Sequence, residues 1–178
     1  MGVIFLLTKR PQQEDYKGFF DSYVKLLSNG DLIEIYNQQE EVVTKMIERL
    51  SESDADFRYE KDKWSIKEVL GHLCDAERMF NYWMFCIARN ESNSIAPIHI
   101  ADYVAQANFA KRPISEILEE WRSIRKSSVT LLKSLQSEDL QKKAIFRDYP
   151  TTVLAIACII PGHVQHHIHV LSQRYHIK

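Results

Sequence analysis

The chain has 178 residues, enough for one domain with a substantial core and too few for two comfortable ones. Hydrophobic residues make up 45% and charged residues 26%, which excludes a disordered or low-complexity chain. Lys plus Arg number 23 against 24 for Asp plus Glu, and the basic residues are scattered, so the electrostatic footprint of nucleic-acid binding is missing. No stretch approaches the roughly 20 apolar residues of a membrane span. Cys74, Cys86 and Cys158 are far apart in apolar segments and read as reduced core residues of a cytoplasmic protein.

The start, MGVIFLLTKR, places its basic residues after the apolar run, the reverse of a secretory signal. Residues 1–15 are therefore set aside as an N-terminal extension of a domain spanning 16–178. Only five glycines and five prolines interrupt the chain, and the long segments between them carry helical periodicity. Tyr16 to Leu27 can form a short extra helix. Asp31 is an N-cap after Asn29 and Gly30 for a first long helix to about Ser51, with Ile35, Val42, Met46 and Leu50 inward. Ser65 followed by Glu68 is a capping box that opens a second helix to about Ala88. From Asn90 to Lys111 a long connection follows, with a helical turn around Asp102 to Asn108. Pro113 opens a third helix to near Ser137, buried through Ile117, Trp121, Ile124, Val129, Leu132 and Leu135. A loop to Pro150 precedes a fourth helix, from Thr151 or Thr152 to about Arg174. The expected fold is all-α: a four-helix bundle with long crossover loops and the short extra N-terminal helix.

The fourth helix carries PGHVQHHIHVLSQRY, with four of the seven histidines inside seven residues. At about 100° per residue, His163 and His167 point the same way, one turn apart, on the face of Ile156, Ile160 and Val170. That spacing suits two ligands on one metal ion, and a third must come from another helix. His72, on the margin of the second helix's apolar stripe, can reach inward. Three histidines would leave a coordination position open for water, the arrangement of catalytic sites. His166 competes with His167 for the ligand role, or stands as a supporting group or proton shuttle. The alternative for all of them is packing and hydrogen bonding. His169 turns away. Glu77 falls inside an apolar stripe and needs a partner, which an ion pair with Arg122 or Arg125 would supply, the alternative being a catalytic role. Trp83, Trp121 and Met79 read as core.

The stretch KWSIKEVLGHLCDAERMFNYWMFCIAR, with Trp64, Ser65, Glu68, His72, Asp75, Glu77 and Arg78, taken with GHVQHHIHVLSQRY, resembles the DinB-like (DinB/YfiT-like) superfamily of metal-dependent enzymes. The resemblance extends from about Tyr16 to Tyr175. It implies a four-helix bundle whose metal ligands match His72, His163 and His167, a divalent ion such as nickel or zinc, and commonly a homodimer. It further implies a small-molecule substrate and either hydrolysis or transfer of a low-molecular-weight thiol such as bacillithiol. DNA binding is not implied. Two features depart from the family pattern: Pro161 inside the fourth helix, expected to bend it just before the ligands, and the loop from Pro97 to Asp102, where His99 stands in place of an acid. A binding or scaffold module that keeps the bundle and the metal without turnover is the competing function.

Overall fold

The computed structural model describes residues 7–91, 100–146 and 148–177. After single 3₁₀ turns at Gln13–Asp15 and Gly18–Phe20 come α1 (Asp21–Val24), α2 (Leu32–Ile47), α3 (Glu52–Ala55), α4 (Ile66–Ala88), α5 (Ile100–Ala107) and α6 (Ile114–Ser134). The chain then forms α7 (Ser137–Gln141), the strands β1 (Lys143–Phe146) and β2 (Tyr149–Thr152), and α8 (Val153–Arg174). The loop segment with Pro97 and His99 lies outside the described residues.

The caps set the starts of the long helices. Asp31 accepts from the N–H groups of Ile33 and Glu34 at 2.8 and 3.3 Å. Ser65 and Glu68 form the reciprocal capping box, and Thr152 accepts from Ala155 N at 3.1 Å. Pro113 has no capping side chain, and the Ile114 N–H is met by Glu52 Oε1 at 2.9 Å, which ties α3 to the start of α6.

Among the long helices the packed pairs are α2 with α6 and α8, and α4 with α6 and α8. The cyclic order is therefore α2, α6, α4, α8, with α2 diagonal to α4 and α6 diagonal to α8. The segments 48–65 and 135–152 cross these diagonals and are the crossover connections. Two apolar clusters fill the bundle, one at each end. The first takes Tyr36, Phe80, Trp83, Leu132 and Ile156; the second takes Val43, Leu70, Trp121, Val164 and Leu171. Where they meet, each long helix contributes buried polar residues: Gln39 from α2, His72 and Glu77 from α4, Arg125 and Ser128 from α6, His163 and His167 from α8.

Several local expectations are corrected. The first long helix ends at Ile47, because Ser51 caps α3, accepting from Asp54 N. Its buried valine is Val43, fully enclosed, whereas Val42 is 42% exposed. The N-terminal helix is shorter than Tyr16 to Leu27: it begins as 3₁₀ at Gly18 and ends at Val24. The third helix stops at Ser134. The loop before the fourth contains α7 and a hairpin pairing Lys143 with Thr152 and Phe146 with Tyr149, its turn carried by Asp148 at φ 63°. These four-residue strands, burying Ala144 and Phe146, are too short to show alternation against a loop background. Leu7, within the segment set aside, is buried in the first cluster.

Pro161 does not break α8. It leaves the carbonyl of Ala157, four residues earlier, without its helical N–H, and the Tyr36 hydroxyl donates to that carbonyl at 2.9 Å. Gln39 Nε2 donates to the Pro161 carbonyl at 2.8 Å. Val153–Arg174 meets the length and hydropathy of a membrane span, but 72% of its apolar window is buried within the bundle.

Candidate metal centre

His72 comes from α4 and His163 and His167 from successive turns of α8, the helix packed beside it. All three are buried, at 6%, 6% and 9% exposure. His72 Nε2 lies 3.0 Å from His163 Nε2, which lies 3.2 Å from His167 Nε2, and the donor atoms of the group all fall within 4.8 Å of one another.

This convergence is hard to satisfy with hydrogen bonds alone. A ring nitrogen carries either one in-plane N–H or one lone pair, so His163 Nε2 can serve only one of its two neighbours. A cation accepts all three lone pairs at once. Two nitrogens each bound to zinc stand about 3 to 3.4 Å apart for angles between square and tetrahedral, which matches the His72–His163 and His163–His167 spacings. The donor set therefore fits a divalent ion, and neutral imidazoles suit zinc, copper, iron and nickel alike.

Burial sets the protonation state. Loss of hydration pushes His72 down to about 4, with the neighbouring His166 adding to the effect. The same desolvation, then mutual repulsion among the histidines, holds His163 and His167 well below the ordinary value. All three are thus unprotonated lone-pair donors at neutral pH. Their outer nitrogens are not anchored in the usual way: Nδ1 of His72 and of His167 has no hydrogen-bond partner among the described residues. Ring packing orients them instead. Trp64 lies 4.8 Å from His72, Tyr23 and Phe80 lie edge-on to His163 at 5.3 and 6.0 Å, and His166 stands 5.0 Å from His167. Trp64 is in turn fixed by the Tyr175 hydroxyl, which donates to its carbonyl at 2.6 Å.

His166 is half-buried and outside the converging group, against the Tyr23 ring at 5.5 Å. His169 is exposed and contacts Gln165 at 3.0 Å. Glu77 is committed elsewhere in the polar layer. Its Oε2 accepts from Arg125 Nη2 and its Oε1 from the Ser128 hydroxyl, both at 2.8 Å. The Arg125 guanidinium also lies against Tyr36 and Trp121, at 4.6 and 5.1 Å. Arg122, the other partner considered, instead reaches Glu40 on the surface at 3.4 Å. A surface groove of about 560 Å³ between α4 and α6 is lined by Arg78, Tyr82, Phe85 and Glu120 but by none of the three histidines.

Sequence reasoning did not reach Tyr23, Tyr36 or Gln39. For Tyr36 a signal existed: a proline in mid-helix orphans the carbonyl four residues back, so some donor had to cover Ala157.

The sequence pattern of the DinB superfamily matches residues 35–171, from the first long helix to the last. Proteins of Bacillus cereus strain AH820 and Bacillus anthracis strain A0248, each named "Putative metal-dependent hydrolase", are 31% identical to the chain over 134 residues. The aligned part spans 74% of this chain and 77% of theirs. Among solved structures, YfiT from Bacillus subtilis, described as "a probable metal-dependent hydrolase with an unusual four-helix bundle topology", is similar at a TM-score of 0.72. That likeness covers 96% of this chain and 95% of the other at 18% identity and concerns the fold. With a matched region that contains all three converging histidines and a relative above 30% identity over most of both chains, the chain belongs to the DinB superfamily.

Proposed function

We propose that the chain is a divalent-metal-dependent hydrolase of a small molecule, with His72, His163 and His167 as the metal ligands. The observation that carries this reading is the convergence of three buried, neutral imidazole nitrogens, two of the contacts at 3.0 and 3.2 Å. The names of the relatives agree with it. When bound, a zinc or nickel ion supplies a lowered pKa to a water, or to a low-molecular-weight thiol, so that a nucleophile is available near neutral pH.

The chain's residues do the rest. His72, His163 and His167 would hold the ion from two helices, and three ligands would leave a coordination position for water or substrate. The aromatic rings of Trp64, Tyr23 and Phe80 fix the imidazoles and exclude bulk water. His166, packed against His167 at the edge of the cluster, serves as a supporting group or proton shuttle. Glu77 acts one step away, by holding Arg125 in the polar layer between the two apolar clusters. The form we propose is a cytoplasmic homodimer, for which sedimentation should give twice the mass of the chain.

Elemental analysis of protein purified without a nickel column, together with melting curves before and after chelation, tests the reading. One ion per chain and a melting temperature that falls on stripping and recovers with zinc or nickel are expected, because a ligand of the folded state alone stabilises it. Replacing any one of His72, His163 and His167 by Ala should abolish tight binding, whereas His169→Ala should retain it. An empty protein whose melting curve ignores chelator would leave packed histidines as the better account.

A further inference from the structure

We propose that Tyr175 is a positioning residue of the three-histidine centre: its hydrogen bond to Trp64 sets how far α8 slides along α4 and steadies the ring that holds His72. The inference rests on the metal reading above and adds the device that keeps ligands from two helices converged.

The convergence of His72 with His163 and His167 depends on the placement of one helix along the other. At the ligand-bearing end that placement is tied by a single direct bond. Tyr175, the residue that ends α8, donates its hydroxyl at 2.6 Å to the carbonyl of Trp64, just before the Ser65 cap of α4. Each partner stands eight residues from a ligand, Tyr175 from His167 and Trp64 from His72, so the tie lies about two helical turns from the site on both chains. The hydroxyl comes from a packed side chain. Tyr175 is buried, with Tyr59 edge-on to its ring at 4.9 Å and Phe57 at 6.2 Å. Beyond it the chain turns back, the N–H of the buried Ile177 donating to the Leu171 carbonyl at 3.2 Å.

Trp64 carries the constraint to the ligand. Its ring centroid lies 4.8 Å from that of His72, tilted by 42°. A metal-binding imidazole is ordinarily oriented by a hydrogen bond at its outer nitrogen. Nδ1 of His72 has no such partner among the described residues, and the other rings packed on it are His163 and His167 themselves. Trp64 is therefore the one aromatic ring outside the ligand set that orients His72 among the described residues. Ring packing is only as firm as the backbone that presents the ring, and Tyr175 holds that backbone at the Trp64 carbonyl.

The test uses the full chain. Cobalt(II) is titrated with its visible absorption as the readout, and melting curves are taken in chelator. Tyr175→Phe keeps the ring and its contacts with Tyr59 and Phe57 and loses only the bond. Cobalt should bind roughly tenfold more weakly, the low end of what loss of a ligand-orienting partner brings. Trp64→Leu should weaken it by a similar factor or more, whereas Trp64→Phe should stay within about threefold of the parent, because the phenyl ring keeps most of the contact. Tyr82→Phe, on a side chain 61% exposed on α4, should change nothing. A merely structural role would lower the melting temperature in chelator and leave cobalt affinity alone, since a chain that remains folded presents the same site. Unchanged affinity in Tyr175→Phe would thus overturn the proposal while leaving the metal centre standing, and that variant decides by itself if Trp64→Leu does not fold. Parent-like affinity in Trp64→Leu would overturn the route through Trp64. Failure of the parent protein to take up cobalt would overturn both the proposal and the metal reading.

Discussion

Tyr36 and Pro161 should be coupled energetically, although 125 positions of sequence separate them. The Ala157 carbonyl is buried and has lost its helical donor to Pro161, and the Tyr36 hydroxyl replaces that donor at 2.9 Å. Tyr36→Phe keeps the ring, including its contact with the Arg125 guanidinium at 4.6 Å, and strips the carbonyl of its bond. Leaving a buried acceptor unsatisfied costs about 1–3 kcal/mol. Pro161→Ala returns an N–H to the helix. In that background the carbonyl already has a donor, and Tyr36→Phe removes only a second, supplementary bond worth roughly 0.5–1 kcal/mol. A coupling of about 1–2 kcal/mol is therefore expected between the two changes. Urea unfolding of the four proteins in chelator, so that ligand linkage does not enter, gives the cycle from midpoints at constant slope. If Tyr36→Phe costs the same in both backgrounds, within about 0.5 kcal/mol, the hydroxyl is not standing in for the proline's missing N–H.

Three further outcomes are expected. In metal-free protein, stability should be fully present above pH 6.5 and fall as the pH drops toward about 4, because His72 gains a proton in the unfolded chain well before it does in the fold. That shift corresponds to roughly 3 kcal/mol, with His163 and His167 acting in the same direction, and His72→Gln should flatten part of the window in a urea series across pH. Glu77→Gln should cost about 3–5 kcal/mol by leaving the fully buried Arg125 without its counter-charge; Glu40→Gln, on the surface pair with Arg122, should cost less than about 1, and similar values for the two would contradict the burial argument. Gly162→Ala should destabilise by about 1–3 kcal/mol through displacement of the Tyr23 backbone, whereas thermal melts of Gly18→Ala, where an added Cβ meets nothing, should show no comparable loss.

What was legible in the sequence is what depends on neighbours in the chain. The Ser65–Glu68 capping box, the Asp31 cap and the 3.6-residue spacing of apolar positions are local, and they set the starts of the long helices and the inward faces of α4, α6 and α8. The i,i+4 spacing that puts His163 and His167 on one face is local too, as is the tilt of His72 toward the interior of α4. Decisions between elements needed the tertiary structure. Val42 and Val43 both lie near the margin of the helix stripe, and only the placement of α2 against α6 and α8 buries the second and exposes the first. Glu77 could reach either of two arginines by helical reckoning. The packing of α4 on α6 gives it Arg125, one that the rings of Tyr36 and Trp121 also cover. The hairpin at Lys143–Thr152 was invisible because four-residue strands carry too little pattern, and it exists because Ala144 and Phe146 find the core. Tyr23 and Tyr36 owe their roles to contacts more than 100 residues away in sequence, with Gly162 and Ala157. Side chains meet there because two helices cross at that point, and that crossing is set by the summed packing of the bundle, which no local stretch of the chain contains.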